Sequence, residues 1–194
     1  MSGMKLGVAL LAAGMGSRFG GNKLLAGYRG QPLVCRAMET LCALPAARRV
    51  AVVSDERVTA LAQTYGFELV FNDAPQLGQG RSVALAISAL LDMDAVLLML
   101  GDQPRVSGES LLRLAGAFEQ SGKGLACLSD ETHAGNPAVF SRRYFDRLMA
   151  LAGDRGAKGI LRQNPDDLVV VPCAHPYELT DADTPQALAA MESE

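Results

Sequence analysis

Between the apolar run Val8 to Leu11 and Leu24 lies Ala12-Ala13-Gly14-Met15-Gly16-Ser17-Arg18-Phe19-Gly20-Gly21-Asn22-Lys23, where glycines are interspersed with two cations. Gly14, Gly16 and Gly20 let a backbone turn sharply and bring its N–H groups up to an anion. Arg18 supplies a planar fork of donors and Lys23 a compact point charge, so the segment reads as a cradle for a nucleoside triphosphate. It is neither of two better-known glycine motifs. The dinucleotide fingerprint needs glycine where Phe19 stands, and the P-loop needs Ser or Thr after its lysine where Leu24 stands. The competing reading is a glycine turn that merely joins a strand to a helix.

Asp102 is the second residue with evident chemistry. It follows the apolar run Ala95 to Leu100 in Gly101-Asp102-Gln103-Pro104, so its carboxylate stands where a strand ends. A hard oxygen ligand there suits Mg²⁺, which takes one or two protein carboxylates and fills its remaining positions with phosphates and water. The alternative is a turn residue bonding its own backbone. Gly78-Gln79-Gly80-Arg81-Ser82 opens a helix after another strand and offers amides and the Ser82 hydroxyl. A glycine turn with Ser82 in a local capping role is the alternative there.

Positioning these loops requires strands. Leu6–Leu11, Val50–Val53, Glu68–Phe71, Ala95–Leu100, Leu125–Leu128 and Leu168–Val171 read as strands, alternating with helical segments at 32–44, 55–65, 81–91 and 109–120. Ser54 is a candidate N-cap and Gly66 a stop. Thr184-Pro185-Gln186-Ala187-Leu188 opens a final helix with Pro185 in its first turn. The alternation predicts an α/β domain with a mainly parallel sheet, and ligands gather at the carboxyl ends of such strands. At 194 residues, with 49% hydrophobic residues and a net charge of −3, the chain fits one domain over 1–194. The charge excludes a basic nucleic-acid footprint. The apolar runs are too short for a membrane span and no signal-peptide pattern precedes the first strand, so a cytoplasmic protein is expected. Cys35, Cys42, Cys127 and Cys173 form no metal or disulfide pattern, and Cys35 and Cys42, seven apart, are expected on one buried helix face. His133 and His175 lie outside the glycine loops and are expected to be surface or structural residues.

The arrangement L-A-A-G-x-G-x-R-x-G-x-x-K resembles the entry motif of nucleotidyltransferases with the nucleotide-diphospho-sugar transferase fold, and among them the molybdenum cofactor cytidylyltransferases. The likeness continues through Gly78–Ser82, Gly101–Pro104, Gly135-Asn136-Pro137, Gly153–Lys158 and Asp181–Pro185. It implies a single-domain three-layer α/β/α sandwich of the GT-A-like kind. It also implies a Mg²⁺-dependent transfer of CMP from CTP to molybdopterin, and a molybdenum hydroxylase as eventual recipient. Alternatives are guanylyl transfer to the same cofactor, nucleotidyl transfer to another phosphorylated small molecule, or a non-catalytic carrier of the cofactor.

By the same resemblance Asp102 and Asp183 hold the metal; capping of the final helix is the competing reading for Asp183, and the two roles can coexist. Arg18, Lys23, Asp102 and Asp183 are the catalytic set. Leu11, Ala12, Ala13, Gly14, Gly16, Arg18, Lys23, Gly80, Ser82 and Asp102 bind the nucleotide. Asn136, Arg155, Lys158 and Asp181 face the acceptor. Asn136 stands where relatives usually carry His, and Lys158 where Arg is frequent. Phe19 takes a position where Met is common. The pair Ala12-Ala13 matches the cytidylyl branch, since the guanylyl branch more often has glycines there.

Overall fold

The computed structural model describes residues 3–14, 19, 21–130, 134–180 and 184–193. Its centre is a seven-stranded sheet of β1 (Leu6–Ala12), β4 (Arg48–Val53), β5 (Glu68–Phe71), β6 (Ala95–Leu100), β7 (Leu125–Ser129), β8 (Ala134–Ser141) and β9 (Leu168–Pro172). A two-stranded hairpin, β2 (Gly27–Tyr28) and β3 (Gln31–Pro32), stands apart. The strand order is β5-β4-β1-β6-β8-β7-β9, parallel throughout except that β8 runs antiparallel to both its neighbours.

The apolar runs are buried because helices cover both faces of the sheet. In β1, Leu6, Val8, Leu10 and Ala12 enter one core with α1 (Leu33–Ala43), α2 (Glu56–Thr64), α4 (Gly108–Ser121) and α7 (Pro185–Ser193). Ala9 and Leu11 enter the other, with α3 (Gln79–Ala89), α5 (Phe145–Met149) and α6 (Lys158–Gln163). The period of two in the strand thus divides one sequence between two cores, and the result is the expected three-layer α/β/α sandwich.

Two local expectations need correction. The cap of α2 is Asp55, whose carboxylate accepts from Arg57 N at 2.8 Å and Val58 N at 3.4 Å, while Ser54 Oγ donates to Ala13 O at 3.3 Å. The charged acceptor also suits the positive end of the helix dipole. Cys35 is buried but Cys42, one residue before α1 ends at Ala43, is exposed, while its neighbour Leu41 stays in the core. In addition, 134–141 forms a strand that the alternation of apolar runs does not name. A register irregularity between Cys127 and Leu128 lets Asn136 and Pro137 fall outside the β7 ladder, where a proline without an N–H costs nothing. The Asn136–Pro137 peptide is cis.

Candidate active site at the switch point of the sheet

The chain leaves β1 toward β4 and β5 on one side, then returns to lay β6 on the other. In open α/β sheets the crevice for ligands lies at that reversal, beyond the carboxyl ends of the diverging strands. Here the ends of β1 and β6 are tied directly, with Gly101 N donating to Leu11 O at 3.0 Å. Lys23 and Asp102 meet just beyond this tie. Lys23 Nζ lies 2.8 Å from Asp102 Oδ2, and the side chains are only 11% and 26% exposed. Asn22 fixes the approach of Lys23, accepting from Leu24 N through Oδ1 at 3.1 Å. A hydrogen bond from the same Asn22 side chain is the main cause that holds the Asp55 carboxyl down to about 2, reinforced by the helix amides Asp55 caps. The lysine loop is therefore pinned to the start of α2.

Asp102 Oδ1 is buried and has no hydrogen-bond partner among the described residues. A carboxylate with one oxygen on an ammonium and the other unmatched fits a hard divalent cation, whose arrival would satisfy the second oxygen. No cluster of three metal-ligating side chains occurs among the described residues. Asp183, the expected second ligand, lies outside them, as do Gly16, Arg18, Gly20, His133 and Asp181.

The structure places other expected residues less simply. Leu11, Ala12 and Ala13 are buried, with Ala12 in one core and Leu11 and Ala13 in the other. The Leu11 and Ala13 carbonyls already accept from Gly101 N and Ser54 Oγ. Their side chains fill the protein interior. Gly14 is exposed and open around its Cα.

In the Gly78–Ser82 loop, Gly78 adopts φ +93°, and a Cβ there would sit 2.3 Å from the Gly153 carbonyl carbon. A Cβ on Gly80 would meet Ala152 N at 2.8 Å, and Gly80 N donates to Gly153 O at 2.9 Å. These glycines exist so that the loop can lie against 151–154, and the Gly80 amide is engaged there rather than open to a phosphate. Ser82 is buried and its hydroxyl accepts from Asn72 Nδ2 at 3.0 Å, while Asn72 Oδ1 receives Arg81 Nε at 3.0 Å and Ala74 N at 3.1 Å. Asn72 organises the whole loop, yet nothing local in the sequence distinguishes it.

Beside the Lys23–Asp102 pair opens a cavity of about 1000 Å³, lined among others by Gln79, Gln103, Asn136, Lys158, His175 and Tyr177. Gln103, buried next to Asp102, donates through Nε2 to Asn136 O at 3.1 Å and so joins the end of β6 to the start of β8. The antiparallel direction of β8 brings its first residues to the edge where the parallel strands finish. Asn136 Oδ1 is buried without a hydrogen-bond partner among the described residues. The Lys158 side chain passes over Gly135, where a Cβ would lie 3.5 Å from its Cε. Arg155 is exposed and does not line the cavity. His175 is exposed as expected, but it does line the cavity. Burial pushes the Cys173 thiol up to about 12, with Glu178 and Asp130 adding to the shift, so this lining cysteine is a neutral thiol.

A family profile described as a MobA-like NTP transferase domain matches residues 8–173. The chain is 37% identical over 137 residues to the bifunctional protein GlmU of Leifsonia xyli, covering 66% of this chain but only 28% of that protein. It is 30% identical over 185 residues to nicotine blue oxidoreductase of Paenarthrobacter nicotinovorans, covering 90% of each. Among solved structures, a nucleotidyl transferase from Methanothermobacter superposes with a TM-score of 0.83 at 21% identity, over 98% of this chain and 97% of that one. Molybdopterin-guanine dinucleotide biosynthesis protein A from Archaeoglobus fulgidus superposes with a TM-score of 0.72 at 21% identity, over 96% and 97%. At these identities the two structures establish the fold.

Proposed function

This chain belongs to the MobA-like NTP transferase domain family, and on that premise we propose that it transfers CMP from CTP to a molybdopterin-type acceptor, releasing pyrophosphate. The observation that carries the reading is the Lys23–Asp102 pair, set at the switch point of the sheet, with the neighbouring Gln103 lining a cavity of about 1000 Å³. A carrier would need a cavity but not this half-buried ion pair with an unmatched carboxylate oxygen.

The acceptor phosphate is the nucleophile. With a second pKa of about 6 it is largely dianionic at neutral pH, so no general base is needed. Its oxygen bonds to the α-phosphorus of CTP as the bond to the β-phosphate oxygen breaks, and the electron pair leaves with pyrophosphate. Catalysis then consists of placement and charge stabilisation. Lys23 keeps the Asp102 charge compensated in the resting protein and stands within reach of the triphosphate, with Arg18 as the expected second cation. Asp102, with Asp183 as the expected partner, would hold Mg²⁺, whose chemistry is to neutralise phosphate charge during transfer. Asn136 and Lys158 face the acceptor, and Lys158 supplies a point charge for its phosphate. Asp181 and Arg155 are assigned to the acceptor by resemblance alone. A cytoplasmic setting and a molybdenum hydroxylase as recipient fit this product.

The near full-length similarity to nicotine blue oxidoreductase favours a second reading, redox chemistry in the same cavity. One experiment separates the two. The purified protein is incubated with Mg²⁺, molybdopterin and CTP, GTP or ATP in turn, and pyrophosphate is measured. Acceptor-dependent pyrophosphate release with CTP as the best nucleotide is expected. Release with GTP alone would move the assignment to guanylyl transfer. No release with any nucleotide would remove the transferase reading and leave the redox one.

A further inference from the structure

At the mouth of the acceptor cavity Tyr177 combines three features that packing alone does not require. Its φ is +64°, a left-handed backbone that bulky side chains avoid. It is 62% exposed although aromatic. The Arg105 guanidinium lies 5.7 Å from its ring centroid, a cation–π contact that steadies the ring. Strained backbone persists only where its surroundings over-determine it, and such residues cluster at ligand clamps.

The surroundings here are explicit. Glu178, next in the chain and 2% exposed, accepts from Ser107 N at 2.9 Å, Ser107 Oγ at 3.0 Å and His175 N at 2.9 Å. Ser107 is the N-cap of α4, whose Ser110 Oγ accepts from Ala174 N at 2.7 Å. A buried carboxylate with three donors and a buried hydroxyl thus bolt the 174–178 wall to the start of α4. Tyr177 is held outward as the next residue in the chain.

We propose that Tyr177 is an acceptor-selecting residue, a fixed ring on which a planar heterocycle stacks at the mouth of the cavity, and that Glu178 is its positioning residue. Asn136 lines the same cavity, but its Oδ1 is buried, so the exposed ring of Tyr177 is the contact open to a heterocycle. Phosphate recognition by Lys158 would serve a heterocyclic acceptor and a sugar phosphate alike, so the ring contact is what discriminates. The inference rests on the reading of this cavity as the acceptor site and assigns what that reading leaves open.

The test removes the ring without straining the backbone. Glycine accepts φ +64° at no steric cost, so Tyr177→Gly keeps or raises the melting temperature. Binding of free pterin, followed by the pterin's own fluorescence, is expected to weaken about tenfold in Tyr177→Gly, the scale of one stacking contact. Tyr177→Phe retains it, and binding of glucose phosphate changes in neither. The chain contains no tryptophan, so Tyr177→Trp creates a single indole whose emission free pterin should quench. Glu178→Gln should raise the acceptor KM with CTP affinity unchanged, a split that general loosening of the fold would not give. Pterin binding within twofold of the unmodified protein in Tyr177→Gly, or no saturable pterin binding by the unmodified protein, overturns the proposal. If pterin binding depends on Tyr177 while no pyrophosphate is released, the proposal stands and the transferase reading falls. If pyrophosphate is released and Tyr177→Gly leaves the acceptor KM unaltered, the transferase reading stands and the proposal falls.

Discussion

Lys23 and Asp102 respond to substitution in different ways because one is a charge the other needs. Asp102→Asn keeps size and hydrogen-bonding capacity but removes the anion, so turnover should fall by about 10² or more while the fold survives. Pyrophosphate release at saturating Mg²⁺ checks this, and near-normal rates would sink the metal assignment. Lys23→Ala should slow release by a similar factor and also lower the melting temperature, since Asp102 would keep a partly buried charge without its ammonium. A change in melting temperature alone would assign Lys23 to structure. Both residues were legible in the sequence because a glycine loop after an apolar run, and an acidic residue after another, name positions by local pattern. Asn72, Gln103, Tyr177 and Glu178 were not. Their roles come from partners 10, 33, 72 and 71 positions away, and no local pattern encodes such pairings.

Among the elements, the start of α2 carries the clearest pH dependence. The Asp55 carboxyl sits at about 2 in the folded protein against an ordinary 3.8, so the unfolded chain binds its proton first as pH falls. Its contribution, on the order of 2 kcal/mol, is present above about pH 4 and lost between about pH 4 and pH 2. Asp55→Ala should therefore cost stability at neutral pH and flatten the acid limb of a denaturation profile; parallel profiles for the two proteins would refute this. Gly78→Ala should destabilise by about 2 kcal/mol or more, because it combines φ +93° with a collision against Gly153. Urea denaturation midpoints measure that cost. Ala12→Gly and Ala13→Gly should lose stability through emptied core contacts rather than open a purine site, and the CTP to GTP ratio of kcat/KM should stay within a few-fold. The strands and the longer helices were readable because buried parallel strands are continuous apolar runs. Strand β8 was not, since the residues that let it bulge are also those that make turns, and only the β7 ladder distinguishes the two.

For the molecule as a whole, fold class follows from alternation alone, while the choice of substrate rests on a few contacts between distant segments. No described helix is long and apolar enough to cross a membrane. The seven strands fall into an amino-terminal set, β5-β4-β1-β6, and a carboxyl-terminal set, β8-β7-β9, that meet only where β8 pairs with β6. That seam has a kinetic meaning. During synthesis the four strands of the first set can pair with one another once β6 and the Asp102 turn have left the ribosome, leaving the outer edge of β6 for β8. Strands β7 and β9 have no partner in that set and must wait for β8. Pulse-labelled hydrogen exchange on refolding should show amides of β1, β4 and β6 protected before those of β7 and β9. Simultaneous protection would mean that the two sets nucleate together. If the order holds, each growing chain assembles the half that carries Lys23 and Asp102 first, and the half that carries Asn136, Lys158 and Tyr177 is zipped on by one reversed strand afterwards.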